Sequence, residues 1–592
     1  MNSVQFYKKL HEFRLKHLPS RSYMLLLSLV VGLLAGFAAI LLKNAVFYGH
    51  HFLVALTKGD GFNIKYILLP LTGIFLTYIF VRYIIKDNLS HGISRILQAI
   101  SKNNSIIKPH NTYSSLIAST ITVSFGGSVG LEAPVAFTGS AIGSNIARFL
   151  RLDYKATTLL LGCGSAAAIA GIFKAPIAAV IFSLEVLMLD LTMASLLPLL
   201  IASVTGATIG YFFMGQGFLF EFNISHPAFK LSNLPFYALL GIFAGFVSLY
   251  FTKANLSIEN SFKKIPEGLL RVLTGGAIAS LLIFLFPPLF GEGYSTLRDL
   301  LIGKGGTILQ GGFYFPLSQN NILLLIFLGL ILIFKVVAMS ATTAGGGVGG
   351  IFAPSLFMGG ISGFFFSRVI NSFWEGRLPE TNFTLAGMAG VMAGVMHAPL
   401  TAIFLIAEIT GGYEFFVPLI ITSVFAYITI MPFEPHSLYT KRLAVLGELI
   451  THHKDKAVLS RLSIEKLIET NFLTVHPEAT LGEFVKIVAK SQRNVFPVVD
   501  ADNTFLGVLF INDIRNIIFE PELYNSVYIS SLMFMPDVTV TRDASMEDVA
   551  KKFAESSHYN IPVLENGKYV GFVSRANVFS AYRKLVKEFS EE

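Results

Sequence analysis

The sequence predicts an all-α polytopic membrane protein whose two halves form an inverted internal repeat, followed by a soluble α/β tail of two similar modules. Three observations predict this. The 592 residues are 53% hydrophobic and only 14% charged, outside the usual composition of soluble domains. Charge is unevenly spread: 44 of the first 440 residues are Asp, Glu, Lys or Arg, against 38 of the last 152. Two pairs of motifs recur at offsets of 220 and 223 residues.

In chain order, Phe6, Leu10 and Phe13 recur at helical spacing beside Lys8, Lys9, Arg14 and Lys16. They predict an amphipathic surface helix over 1–20 and a cytoplasmic N-terminus. Charge-free runs at 22–42, 231–252 and 272–291 approach the roughly 20 residues that cross hydrocarbon and predict spanning helices. The first is too long for a signal-peptide core, so it is retained. The membrane domain is expected over 21–445, in halves of about 21–215 and 231–445. A polar linker around 451–456 leads into the tail, 446–592.

The repeat is read from four strings. Residues 126–134 are GGSVGLEAP and 345–354 are GGGVGGIFAP, so Gly130 matches Gly350, Ala133 matches Ala353, and Glu132 faces Phe352. Residues 170–185 are AGIFKAPIAAVIFSLE and 393–408 are AGVMHAPLTAIFLIAE. The segments 175–184 and 396–407 are short and broken by proline, so they enter the membrane without simply crossing it. Duplicated halves with such interruptions indicate a transporter whose site lies where broken helices meet. Close helix packing explains many of the glycines, but not the proline after each cluster.

A helix N-terminus offers unpaired N–H groups and about half a positive charge, so several converging on one point bind an anion without trapping it. Glycine lets the backbone approach the ion, and proline suits the first turn. With Cys163 alone, no internal disulfide or multi-cysteine metal site can form. The net charge of +8 divides unevenly: the first 440 residues hold 27 basic and 17 acidic side chains, and the last 152 hold 18 and 20. That excess suits an anionic permeant, anionic lipid, or ordinary cytoplasmic loop lysines.

The tail repeats too. Residues 494–514 and 560–578 share strand, turn, strand and helix-start signals, each after a helix-like stretch, 481–491 and 546–556. Two βαββα modules are expected at about 460–520 and 528–590.

Over nearly its whole length the chain resembles the CLC chloride channels and chloride–proton exchangers with C-terminal tandem CBS domains. Ser90-His91-Gly92-Ile93-Ser94 is similar to the family's Gly-Ser-Gly-Ile-Pro. Gly130-Leu131-Glu132-Ala133-Pro134 is similar to Gly-basic-Glu-Gly-Pro, and Gly350-Ile351-Phe352-Ala353-Pro354 matches the third signature. The resemblance implies that Glu132 is a gating carboxylate, displaced by protonation or by an ion. It implies anion contacts at His91, Gly92, Ile93, Ile351, Phe352 and Tyr439. Histidine at 91 replaces the usual serine; it either donates a hydrogen bond to the ion or packs without touching it. Val186 stands where exchangers carry a second, proton-transferring glutamate after Glu185, which favours a passive gated channel over an exchanger. Glu185 and its counterpart Glu408 are read as capping or packing groups. Lys174 either concentrates anions near an entrance or snorkels.

The resemblance also implies a homodimer in lipid, with a cytoplasmic tail and no required cofactor. Adenine nucleotide is a possible CBS ligand, with Asp513 and Asn577 at the ribose-contacting positions; each module departs from the full Ser/Thr-x-x-Asp pattern. A purely structural tail is the alternative. A CBS-regulated cation transporter would need clustered oxygen ligands, and the glycine-rich motifs hold one carboxylate, Glu132. For an intramembrane enzyme the discriminating strings are HExxH and GxSxG. Neither string is read in the chain, which is taken as a non-enzyme.

Overall fold

Hydrocarbon leaves backbone amides no partner but one another, so long apolar stretches become helices. The computed structural model describes residues 19–56, 65–89, 91–189, 192–217, 220, 230–305, 321–374, 378–445, 462–556 and 559–590. The expected surface helix up to residue 18, the 451–456 linker and Ser90 lie outside the described residues. The chain divides into two units, Met1–Leu449 and Ile450–Glu592.

The first unit is helical. Its first half holds α1 (Ser20–Leu56), α2 (Lys65–Ile79), α3 (Gly92–Lys102), α4 (Ser114–Ser124), α5 (Glu132–Phe149), α6 (Tyr154–Phe173), α7 (Pro176–Glu185) and α8 (Met193–Met214). The second holds α9 (Leu234–Lys263), α10 (Leu269–Leu285), α11 (Tyr294–Leu301), α12 (Asn321–Ala344), α13 (Phe352–Asn371), α14 (Glu380–Met396), α15 (Pro399–Thr410), α16 (Phe416–Ile430) and α17 (Lys441–Val445). Among the described residues eight helices are long and apolar enough to cross a membrane. The run at 22–42 lies in α1 and that at 231–252 chiefly in α9. The run at 272–291 differs: α10 stops at Leu285, because Phe286 is extended (φ −129°, ψ 81°) ahead of Pro287 and Pro288.

Helices pack through glycine in both halves. A Cβ on Gly139 of α5 would lie 2.1 Å from the Gly164 carbonyl oxygen of α6, and one on Gly164 would lie 1.9 Å from that of Gly139. In the second half Gly359 of α13 and Gly387 of α14 face each other the same way, at 2.4 and 2.3 Å. Only bare backbone fits between these helices.

The second unit contains β1 (Ile468–Glu469), α18 (Leu481–Val488), β2 (Val495–Val499), β3 (Phe505–Phe510), β4 (Val540–Thr541), α19 (Met546–Glu555), β5 (Asn560–Glu565), β6 (Lys568–Ser574) and α20 (Arg575–Ser590). Strands β2 and β3 pair antiparallel, while the other sheet runs β1-β6-β5-β4. The short β1 therefore crosses to the later module's sheet. Phe472, Val495, Phe505, Val508, Tyr569 and Phe572 form an apolar seam between the modules.

Candidate functional site

The repeat closes on itself through exchanged contacts. Gly130 and Gly350 form an antiparallel bridge, with N–H to carbonyl distances of 2.9 and 2.7 Å. Thr122 Oγ1 accepts from Val348 N–H at 3.0 Å, and Thr342 Oγ1 accepts from Ser128 N–H at 3.4 Å, the matching contact with the halves swapped. Glu408 accepts from Ile177 N–H (3.1 Å) and Ala178 N–H (2.8 Å) at the start of α7. Glu185 accepts from Leu400 N–H (3.2 Å) and Thr401 N–H (2.7 Å) at the start of α15. Each half thus satisfies the orphan amides of the other's proline-led half-helix.

From the Gly130–Gly350 bridge the chain runs directly into α5 and α13, so both N-termini meet at one point. Gly92, opening α3, joins them: a Cβ there would lie 2.8 Å from the Ala133 carbonyl oxygen. A cavity of about 30 Å³, room for one or two water-sized occupants, is lined by His91, Gly92, Ile93, Ile351 and Tyr439. Its polar remainder comes from Ser94, Asn255, Glu259 and Arg442. The Tyr439 hydroxyl is buried and has no hydrogen-bond partner among the described residues. Ser94 Oγ donates to the Tyr439 carbonyl at 2.9 Å, fastening that tyrosine to α3. His91 adopts a left-handed conformation (φ 60°) as N-cap, without a side-chain capping bond.

Two of the expected positions do not line this cavity. The Phe352 ring stacks on Phe173 with centroids 5.3 Å apart; its backbone nonetheless opens α13. Glu132 is 2% exposed, with Oε1 accepting from the Tyr294 hydroxyl at 2.5 Å. Its Oε2 has no partner of good geometry and lies against Gly130, where a Cβ would come within 2.1 Å. The Ala353 backbone N–H faces the carboxylate.

Other residues take structural places. Val186 is buried at the C-cap of α7. Lys174 Nζ donates to the carbonyls of Gly215 (3.0 Å) and Gly217 (2.5 Å), stapling the ends of α6 and α8. One sequence expectation needs correcting: residues 126–130, GGSVG, do satisfy GxSxG. The Ser128 hydroxyl is already engaged there, donating to the Leu289 carbonyl (2.7 Å) and accepting from Lys335 Nζ (2.8 Å), with both side chains fully buried.

The sequence reading missed Tyr294, Glu292, Lys335 and the Glu259–Arg442 ion pair. Lys335 had a signal, as the lone charge in an apolar run of 24 residues. In the tail, Asp513 is exposed, and the Asn577 side-chain amide donates to Glu469 at 2.7 Å.

The profile of the voltage gated chloride channel family matches residues 72–430, more than half the chain. The chain belongs to that family. CBS domain profiles match 464–520 and 529–584. Relatives of this CLC protein include a putative ClcB-like chloride channel protein of Ralstonia nicotianae, 27% identical over 64% of this chain and 85% of that protein. They also include the H(+)/Cl(-) exchange transporter ClcA of Vibrio cholerae, 28% identical over 68% and 85%, and chloride channel protein CLC-e of Arabidopsis thaliana, 24% identical over 84% and 76%. Solved structures share the fold. A slow cyanobacterial Cl⁻/H⁺ antiporter aligns with TM-score 0.62 at 21% identity, covering 72% of this chain and 98% of that one. A eukaryotic CLC transporter gives 0.59 at 18%, covering 94% and 97%. The CLC chain is therefore an integral membrane protein of an anion-transporting family, and its relatives include both channels and exchangers.

Proposed function

We propose that this CLC protein conducts chloride, or another small anion, passively, with Glu132 as the gate. One observation carries the reading: three helix N-termini, beginning at Gly92, Glu132 and Phe352, converge on a small cavity into which Tyr439 brings an unpartnered hydroxyl. Amide dipoles and a neutral donor favour an anion while leaving it free to depart. In the proposed cycle the seated Glu132 carboxylate blocks the path, and an arriving anion or a proton moves it aside. Passive conduction is favoured over exchange by Val186, whose isopropyl group cannot carry a proton. His91, Gly92, Ile93 and Ile351 would surround the ion from α3 and α13, with Phe352 contributing its backbone.

The working unit is proposed to be a homodimer with a pore in each subunit. The exposed apolar side chains Ile177, Leu400, Val417 and Ile420 offer a face suited to a second copy or to lipid. The tail is proposed to be cytoplasmic and structural. Chloride-driven flux from proteoliposomes, with proton movement recorded together, tests the reading. Chloride efflux without uphill proton uptake is expected, and E132Q should abolish the pH dependence of flux. Uphill proton uptake would make the protein an exchanger, and unchanged gating in E132Q would remove Glu132 from the mechanism.

A further inference from the structure

We propose that Tyr294 is the latch of this gate, a positioning residue whose hydroxyl holds the Glu132 carboxylate in the anion path until an anion or proton releases it. The inference rests on Glu132 being the gate, and it adds a residue outside every motif of the two repeats.

Tyr294 is placed with care. It opens α11, directly after the turn Gly291-Glu292-Gly293, in which both glycines are left-handed (φ 61° and 86°). That turn is tied to the glycine-rich loop that delivers Glu132: Gly291 N–H donates to the Gly126 carbonyl at 3.1 Å, and Lys335 Nζ reaches both the Gly291 carbonyl (3.2 Å) and Ser128 Oγ. A Cβ on Gly293 would lie 2.4 Å from the Phe357 ring, so the turn has no room to drift. The tyrosine ring is steadied by Phe220, edge-on at 5.7 Å.

The hydroxyl therefore arrives at Glu132 Oε1 from a fixed platform, at the short distance of a charge-assisted bond. It is the only side-chain donor to that carboxylate among the described residues. Other charged or titratable groups act on Glu132 through space: Glu292 beside the turn, Lys43 from α1 and Tyr439 across the site, with Lys335 of α12 acting on Glu292. A phenol donating to a carboxylate favours the seated, charged form. A single such bond is strong enough to bias the gate and weak enough to be exchanged for an ion.

Y294F keeps the ring and its packing and removes only the donor. In proteoliposome flux assays the chloride concentration for half-activation should fall about tenfold, the size expected for losing one charge-assisted bond, and acid activation should begin at higher pH. In the E132Q background Y294F should add nothing. Wild-type chloride and pH dependence in Y294F would overturn the latch, as would an equal shift in both backgrounds, which signals general packing. If E132Q alone gates like the wild type, the gate reading itself fails and the latch with it.

Discussion

Glu132 sits 2% exposed among apolar helices, with Oε2 lacking a hydrogen bond of good geometry among the described residues. An uncompensated polar atom in such a place costs free energy and persists where function needs it to move. Gly130 makes the seat possible. Its missing side chain is the space that Glu132 Oε2 fills, and a methyl group there would also press on Ala353 Cβ at 3.0 Å. G130A is expected to unseat Glu132, raising chloride flux at neutral pH and weakening its activation by acid while the protein still assembles, as read by flux beside size-exclusion elution; wild-type flux and pH dependence would mean the seated pose is not on the path. Lys335 illustrates another residue-scale solution. Fully buried, it is held by Ser128 Oγ, the Gly291 carbonyl and the face of the Phe357 ring, so its charge is spread over dipoles rather than cancelled by a carboxylate at contact distance.

Among the elements, α7 and α15 are too short to span a bilayer, with 10 and 12 residues or about 15–18 Å of helix. Their N-termini are only partly covered, with Ile177 and Leu400 exposed among apolar side chains, where open N–H groups are costly. The exchange of Glu185 and Glu408 meets that cost in both halves with the same chemistry. E185Q and E408Q should therefore each lower stability by about 1–2 kcal/mol, seen as similar drops in thermal unfolding midpoint in detergent. A large loss from one alone would contradict the symmetric capping. The arrangement also engages both oxygens of Glu185 at α15, including a bond from Thr401 Oγ1 at 2.7 Å. With Val186 next to it, the end of α7 supplies no mobile carboxylate.

For the whole molecule, the two halves act as one machine because the site is held together by matched contacts that cross between them, the Gly130–Gly350 bridge and the Thr122–Val348 and Thr342–Ser128 caps. The tail is joined internally by β1 entering the later sheet and by the aromatic seam, which suits a permanent structural unit. Asn577, engaged by Glu469, would have to surrender that bond to meet a ribose. We therefore expect millimolar ATP to leave the thermal unfolding midpoint of the full-length protein unchanged; a concentration-dependent rise would assign the tail a nucleotide.

Much of this was legible in the residues themselves. Helix-forming apolar length, the paired GGSVGLEAP and GGGVGGIFAP strings, and AP nine residues before a glutamate are local facts, and the physics behind them is local: burial of apolar surface and the special backbone needs of glycine and proline. From those alone came the membrane-spanning class and the duplication; the candidate residues His91, Glu132, Ile351 and Tyr439 came from the resemblance of those strings to the CLC signatures. The partners of those residues were not legible. Tyr294 meets Glu132 across 162 positions, and Glu259 pairs with Arg442 across 183, neither in a repeated motif. The same holds for which half caps which and for the Phe352 ring turning toward Phe173, whereas the early stop of α10 follows from the local Phe286-Pro287-Pro288. Side-chain hydrogen bonds reach only a few ångströms, so a contact between residues far apart in sequence is decided by how the helices pack.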